Sequence, residues 1–302
     1  MMKKLAAILS VMMFCLFLVA CGEKEENNES KKNGSGTPSG NAVANDDYFE
    51  WSQIDDTQIV GYTEEGLKQT ELVIPEKCTS VQGLENNTTV EYIKFENDNT
   101  VILSTTFSEC TALQSIELPA NLAKIDNDVF NGCASLRSIT IPENVVEIGS
   151  NAFADCVSLE TVELNTALEV IGRKAFTDCT SLKTVEFYDS LTDIEKAAFK
   201  NCSSLAEITF GAGLKNIGES AFQNCGSLTT VSVPEGVLTL ETDAFAYCDA
   251  LESIYLPASI EMAEISSIVQ THTIKVYVVE GSYMDERVSE LMGVKFYDKH
   301  YQ

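Results

Sequence analysis

Cys110, Cys133, Cys156, Cys179, Cys202, Cys225 and Cys248 follow one another at intervals of 23 residues, and a thiol series of this kind invites three chemistries. A metal centre needs close pairs or mixed cysteine–histidine clusters. No C-x-x-C occurs, and the only histidines, His272 and His300, lie outside the series, so no metal and no cofactor is expected. Disulfides suit an exported chain, and units stacked side by side would bring Cα atoms within bonding range. Equivalent side chains in a stack point the same way, however, and seven identical positions cannot all pair. Free, buried thiols packing as small hydrophobes fit the spacing best. Other catalytic chemistry has little to draw on. There is no nucleotide loop, zinc helix or nucleophile motif, and two histidines near the terminus cannot build an acid–base or triad site. Asp126-Asn127-Asp128 starts like a calcium loop, but Phe130 occupies the next ligand position. No residue is assigned as catalytic, and the chain is not expected to be an enzyme.

The thiols belong to a larger unit that must position them. Phe107, Phe130, Phe153, Phe176, Phe199, Phe222 and Phe245 keep the same interval, three residues ahead of each cysteine. Written once, the unit is Leu136-x-x-Ile139-x-Ile141-Pro142-x-x-Val145-x-x-Ile148-Gly149-x-x-Ala152-Phe153-x-x-Cys156. A repeat of this length points to a leucine-rich repeat solenoid, a right-handed superhelix of stacked coils. The Ile139 and Ile141 columns are two residues apart, as a strand with one buried face requires. Each coil therefore carries a short strand, and stacking makes them parallel. Ile125, Ile148, Ile171, Ile194 and Ile217 mark a second inward column on the return path. The Ala-Phe-x-x-Cys piece reads as one helical or 3₁₀ turn. The phenylalanine and cysteine columns are core.

Stacks expose their terminal coils, so caps are expected at both ends. Phe49–Trp51 and Gln58–Tyr62 read as a hairpin around Asp55-Asp56, forming an N-terminal cap over 48–70. The solenoid follows over 71–262, with a degenerate start: Asn87 stands where a cysteine is due, Cys78 lies off the column, and Leu72 to Val81 needs a small insertion. Residues 263–302 read as a strand–helix–strand cap. Ser282 and Asp285 approximate a capping box, Met284, Val288, Leu291 and Met292 form the apolar helix face, and Gly293 is the stop before a last strand over 294–297.

At the other extreme, Lys3 and Lys4 precede an uncharged run from Leu5 to Ala20, the pattern of a secretory signal and too short to span a bilayer. It ends Leu18-Val19-Ala20-Cys21-Gly22, which resembles the lipobox of bacterial lipoproteins. That resemblance implies cleavage before Cys21 and a diacylglycerol on its thiol, giving domains 1–20 (signal) and 21–47 (tether). The tether is nearly free of large apolar residues and cannot offset its ordering entropy. The membrane is thus one expected partner, through the lipid on Cys21. The net charge of −26 becomes −28 once Lys3 and Lys4 leave with the signal, which disfavours nucleic acid and anionic lipid surfaces.

The repeat itself resembles the cysteine-containing leucine-rich repeats of the BspA type, over about residues 71–262. The resemblance implies a bacterial surface protein of binding or adhesion type, with extracellular protein or glycan ligands. On the outward face of the sheet two columns remain for that role: Ser115, Ser138, Thr161, Thr184, Glu207, Thr230 and Ser253, and Glu117, Thr140, Glu163, Glu186, Thr209, Ser232 and Tyr255. Serine and threonine are also simply acceptable on a solvated strand. A non-catalytic scaffold of the bacterial envelope is the alternative. Tyr188 and Asp189 interrupt a rim otherwise marked by Pro119, Pro142, Pro234 and Pro257.

Overall fold

Alternation fixes the strands. Ile139 is buried between exposed Ser138 and Thr140, and the same pattern recurs at Val162, Val185 and Val231. The structure, a computed structural model, describes residues 43–263 and 274–292. Among these, one row of strands runs through Glu71–Ile74, Tyr92–Phe95, Ser115–Glu117, Ser138–Thr140, Thr161–Glu163, Thr184–Glu186, Glu207–Thr209, Thr230–Ser232, Ser253–Leu256 and Lys275–Val278. Neighbours pair in parallel, Val162 opposite Ile139 and Val185 opposite Ile208. Backbone pairing divides this row after Ser115–Glu117 and again after Glu207–Thr209. The return path carries the second row expected from the isoleucine column, two-residue strands from Lys124–Ile125 to Met262–Ala263 in one seven-stranded parallel sheet. The first coils are shorter than the period: Glu71 pairs with Tyr92, 21 residues on, which is why Leu72 to Val81 needs an insertion to align.

The third side of each coil keeps the three-residue bond spacing of the expected helical or 3₁₀ turn but not its continuous backbone. It is a run of tight turns in which Ala154 N donates to Asn151 O and Cys156 N to Phe153 O, both three residues back. Two residues per coil adopt left-handed backbone, for example Asn151 (φ 54°) and Asp155 (φ 60°), and these interrupt any helical path. Asn151, Phe153 and Asp155 thereby aim their N–H groups at Arg173, Ala175 and Thr177 carbonyls of the next coil, at 2.9, 2.7 and 2.9 Å. Left-handed L-residues cost about 1–2 kcal/mol each; three inter-coil hydrogen bonds per coil offset that strain.

Inside, Phe107, Phe130, Phe153, Phe176, Phe199, Phe222 and Phe245 stack face to face, with centroids 5.1–5.6 Å apart and planes within 3–14°. The cysteine column lies beside them, and all eight described cysteines are free and buried. From Cys133 to Cys248 each Sγ donates to the carbonyl of the phenylalanine one coil back, as Cys179 does to Phe153 at 3.2 Å. Cys110 does the same to Leu84. A thiol fits here because it fills a small apolar space and still supplies a weak donor. Burial pushes these thiols up, Cys78 to about 11 and Cys110 and Cys248 to about 12. Asn87 substitutes in the column by accepting from Thr89 N and Val90 N, both at 2.8 Å.

At the N-terminal end, Phe49–Trp51 and Gln58–Tyr62 form the expected antiparallel hairpin, and Gln58–Tyr62 also pairs in parallel with Ser80–Val81, so the cap is already in register with the stack. A 3₁₀ turn at Asp46–Tyr48 straddles the boundary expected at 47/48. Trp51 belongs to this cap: Nε1 donates to Asp46 O, and Lys77 Nζ lies 4.0 Å above the ring. At the other end, Lys275–Val278 pairs with Ser253–Leu256 and extends the solenoid sheet. The first strand expected in the 263–302 segment is thus also one more rung of the stack. Tyr283–Met292 is helical; Ser282 Oγ accepts from Asp285 N, and Asp285 Oδ2 accepts from Gly281 N. Met284 and Val288 are buried. The signal segment, Cys21, most of the tether, His272, Gly293, the strand expected over 294–297 and His300 lie outside the described residues.

Candidate functional site

The strand pleat places both expected columns on one outward face. Glu117, Ser138, Thr140, Thr161, Glu163, Thr184, Glu186, Glu207, Thr209, Thr230 and Ser232 are exposed, while Ser115, Ser253 and Tyr255 are half-buried. Neighbouring coils bring these side chains together in pairs. Thr140 Oγ1 donates to Glu163 Oε2 at 2.9 Å, and Thr230 and Ser253 hydroxyls lie 3.3 Å apart. Tyr92, in the Ser115 column, bonds Glu117; burial and that carboxylate hold its phenol well above the usual range. Tyr255 stacks on Tyr277 with centroids 4.4 Å apart, so each ring face covers the other. Lysines (Lys94, Lys275) flank the face and carboxylates occupy its middle.

The field is broken at one place by a cavity of about 430 Å³. Val162, Leu164 and Ile141 supply its apolar part; Thr140, Thr161, Thr184, Glu163 and Glu186 come from the strands, and Glu143 and Tyr188 from the rim. None of these lining residues is cationic. The rim explains why the cavity forms there. Where other coils carry proline, Asn165 is buried and donates from Nδ2 to Val145 O at 2.9 Å and to Pro142 O. One coil on, Tyr188 takes the position, and the next coil yields with Gly211 and Gly213. A Cβ at Gly211 would meet Tyr188 O at 2.3 Å, and one at Gly213 would meet Asp189 O at 1.8 Å. Asp189 Oδ1 accepts from Ala212 N at 2.7 Å, which gives that residue a structural role in the rim.

The core beneath changes as well. Phe187 and Phe210 replace the smaller residues of their column, stacking at 5.4 Å, with Phe187 edge-on to Phe199. Thr161–Glu163 and Thr184–Glu186 pair only at Thr161 and Thr184, whereas Thr184–Glu186 and Glu207–Thr209 pair at all three positions. Ile141 N donates to Glu163 O and Phe187 N to Thr209 O, but the equivalent bonds from Leu164 N to Glu186 O and from Leu118 N to Thr140 O do not form. Glu143 is the residue that column reading misses, because it lies on the rim outside the strand. Its place one residue after Pro142, in the rim interrupted at Tyr188, is the signal that pointed there. No group of His, Cys, Asp and Glu able to hold a metal occurs among the described residues.

Parallel strands, coils of 23 residues and a filled phenylalanine–cysteine interior define a leucine-rich repeat solenoid, a class built around long side-chain-bearing surfaces. Within that class, residues 82–196 and 147–275 match the model of the BspA type leucine rich repeat region, which has six copies, and the chain belongs to that family. It is similar to the crystal structure of a leucine-rich repeat protein from T. pallidum, with 25% identity, TM-score 0.55, and 61% of this chain and 90% of that one covered. A leucine-rich repeat protein from Eubacterium ventriosum matches at 19% identity and TM-score 0.49, covering 68% and 60% of the two chains. A leucine rich cell surface protein from Faecalibacterium prausnitzii matches at 20% identity and TM-score 0.33, covering 83% and 97%. No curated protein matches the chain.

Proposed function

We propose that this chain is a non-catalytic binding protein displayed on a bacterial surface, held by lipid on Cys21, which recognises extracellular protein through the outward face of its first strand row. The cavity at Tyr188 is the observation that carries this reading. A solenoid kept only as a spacer has no need of a recess on its solvated face, yet here the rim, the core column and the following glycines all depart from the repeat together. Membership of the BspA-type family supports display outside the cell. Lipid on Cys21 supports retention there, since two or more acyl chains anchor stably where one does not.

Two measurements test the reading. Full-length chain is applied to immobilised matrix proteins, mucins and a glycan panel beside a variant carrying Glu117→Ala, Glu163→Ala, Glu186→Ala and Tyr255→Ala. Saturable binding to a protein ligand, lost in the variant, is expected; binding unchanged in the variant removes the sheet face from the proposal. Cys21→Ser is expected to move the chain from the membrane fraction to the medium, and retention on the membrane overturns the anchor. Protease accessibility on intact cells separates display from an internal envelope scaffold.

A further inference from the structure

We infer that the Tyr188 cavity is a docking site for an extended, lysine- or arginine-bearing segment of a partner protein, its cationic side chain seated among Glu143, Glu163 and Glu186. The inference rests on the binding-face reading and names the chemistry of its ligand. At three places elsewhere, neighbouring coils set a lysine beside a glutamate: Lys124 Nζ lies 3.0 Å from Glu147, Lys196 Nζ 2.6 Å from Glu219, and Lys183 pairs with Glu160. In the cavity they set glutamates beside one another, with no ion pair to Glu143, Glu163 or Glu186 among the described residues, and only Thr140 Oγ1 donates to Glu163. A cation from outside completes the arrangement, and the net charge of −26 draws such a group in from a distance.

Shape and backbone point to the same ligand. A long basic side chain can lay its methylenes on Val162 and Leu164 and keep its charged head at the carboxylates. The Tyr188 ring supplies a face on which a cation is stabilised. The parted strands leave Leu164 N and Glu186 O without their inter-coil bond, a donor and an acceptor for an extended peptide backbone.

The test is fluorescence anisotropy of a short labelled peptide of alternating lysine and serine, with its glutamate–serine counterpart, on the full-length chain in detergent. The pocket variant is Glu163→Gln with Glu186→Gln, in which the amide oxygen introduced at position 163 keeps an acceptor for Thr140. The control is Glu64→Gln with Glu261→Gln, two exposed carboxylates in the N-terminal cap and the last coil that remove the same net charge. The basic peptide is expected to bind, the acidic one not. The pocket variant should weaken binding about tenfold and the control less than about twofold. Tyr188→Ala should weaken it about threefold. Equal weakening in both double variants would mean a diffuse field and overturns the site. No binding of the basic peptide, with matrix-protein binding retained, overturns this inference and leaves the proposed function standing; loss of both overturns both. Binding to neutral glycans that the pocket variant abolishes would also overturn it.

Discussion

The interior and the outward face of the same coils obey different rules. From Phe130 to Phe222 each interior phenylalanine stacks on two neighbours, and each thiol from Cys110 onward donates to a carbonyl one coil away, so a change in one coil is felt in three. A side chain on the outward face touches at most its neighbour across the strand and otherwise meets water. Drift is therefore costly inside and nearly free outside. A departure on the face carries information only when other positions have moved with it. Tyr188 meets that condition: Gly211 and Gly213 make room behind it, and Phe187 and Phe210 swell the core beneath. Within a repeat array, correlated departures mark a site better than any consensus column.

Alkaline pH should break the interior, and this is the largest effect expected. Burial raises the folded thiol values above the unfolded one, so the folded state holds protons that the unfolded chain releases. Stability contributed by each thiol is full below the unfolded value near 8.5 and is lost as pH rises toward the folded values. The slope is up to about 1.4 kcal/mol per pH unit per thiol. With eight buried thiols, two units should exhaust the ~5–15 kcal/mol typical of a folded domain. Urea melts in reductant from pH 7 to 11 would show the midpoint collapsing. A flat profile would mean the thiols ionise in place.

Next comes a paired truncation that measures the contrast directly. Phe176→Ala empties a fully buried position between two stacked rings and should cost about 3–5 kcal/mol. Thr184→Ala, on the exposed face of the adjoining strand, should stay within about 0.5 kcal/mol. Denaturant titration of the two variants against the parent decides it, and comparable losses would erase the distinction drawn between inside and outside.

That distinction also governs what can be read before a structure is seen. The coil period, both strand rows and the buried columns are legible because each is written seven times, and a two-residue alternation has one structural meaning. Of the helical or 3₁₀ turn suggested for the Ala-Phe-x-x-Cys piece, only the three-residue bonds are found. The Asn and Asp residues at 151, 155, 178, 201 and 224 were the available sign of left-handed backbone, since their side chains tolerate it. The cavity is only half legible: Tyr188 stands out as a broken rim with Glu143 beside Pro142 on it, but the loss of pairing between Thr161–Glu163 and Thr184–Glu186 is a matter of backbone geometry that no column shows. Lys275–Val278 is legible as a strand although the period is lost there; its place in the solenoid sheet comes from pairing, which periodicity does not show.

The turn side of the coil gives a smaller, opposite effect. Thr105 is β-branched, exposed, and held at φ 63°, where glycine is free of strain. Its N–H still reaches Asn127 O at 3.1 Å, a bond that a substitution at Cα leaves intact. Thr105→Gly should therefore stabilise the chain by about 1 kcal/mol, read as a rise in the denaturation midpoint. A loss instead would show that the threonine side chain contributes to the turn.

The smallest effect lies in a ladder that is complete in some coils and not in others. Asn224 Nδ2 donates to Asn201 Oδ1 at 2.7 Å, and Asn201 Nδ2 to Asp178 Oδ1 at 2.8 Å. There the run stops, because Asp178 has nothing to donate to Asp155. Burial first, then the Asp178 charge, hold the Asp155 carboxyl above its usual range, with Lys174 opposing them. Asp178→Asn would keep the acceptor that Asn201 uses and offer Nδ2 to Asp155, for a gain of about 0.5–1 kcal/mol at neutral pH. A carboxyl raised on folding destabilises above its folded value, so relief of Asp155 is full at pH 7. It shrinks as pH falls through the folded value toward the unfolded carboxylate value near 3.9, and is gone below it, where Asp155 is protonated in both states. Denaturation midpoints of parent and variant at pH 7 and pH 4 measure this. A gain at pH 7 that fades at pH 4 makes the turn side, like the interior, a place where one coil constrains the next; no gain at either pH places it with the tolerant outward face.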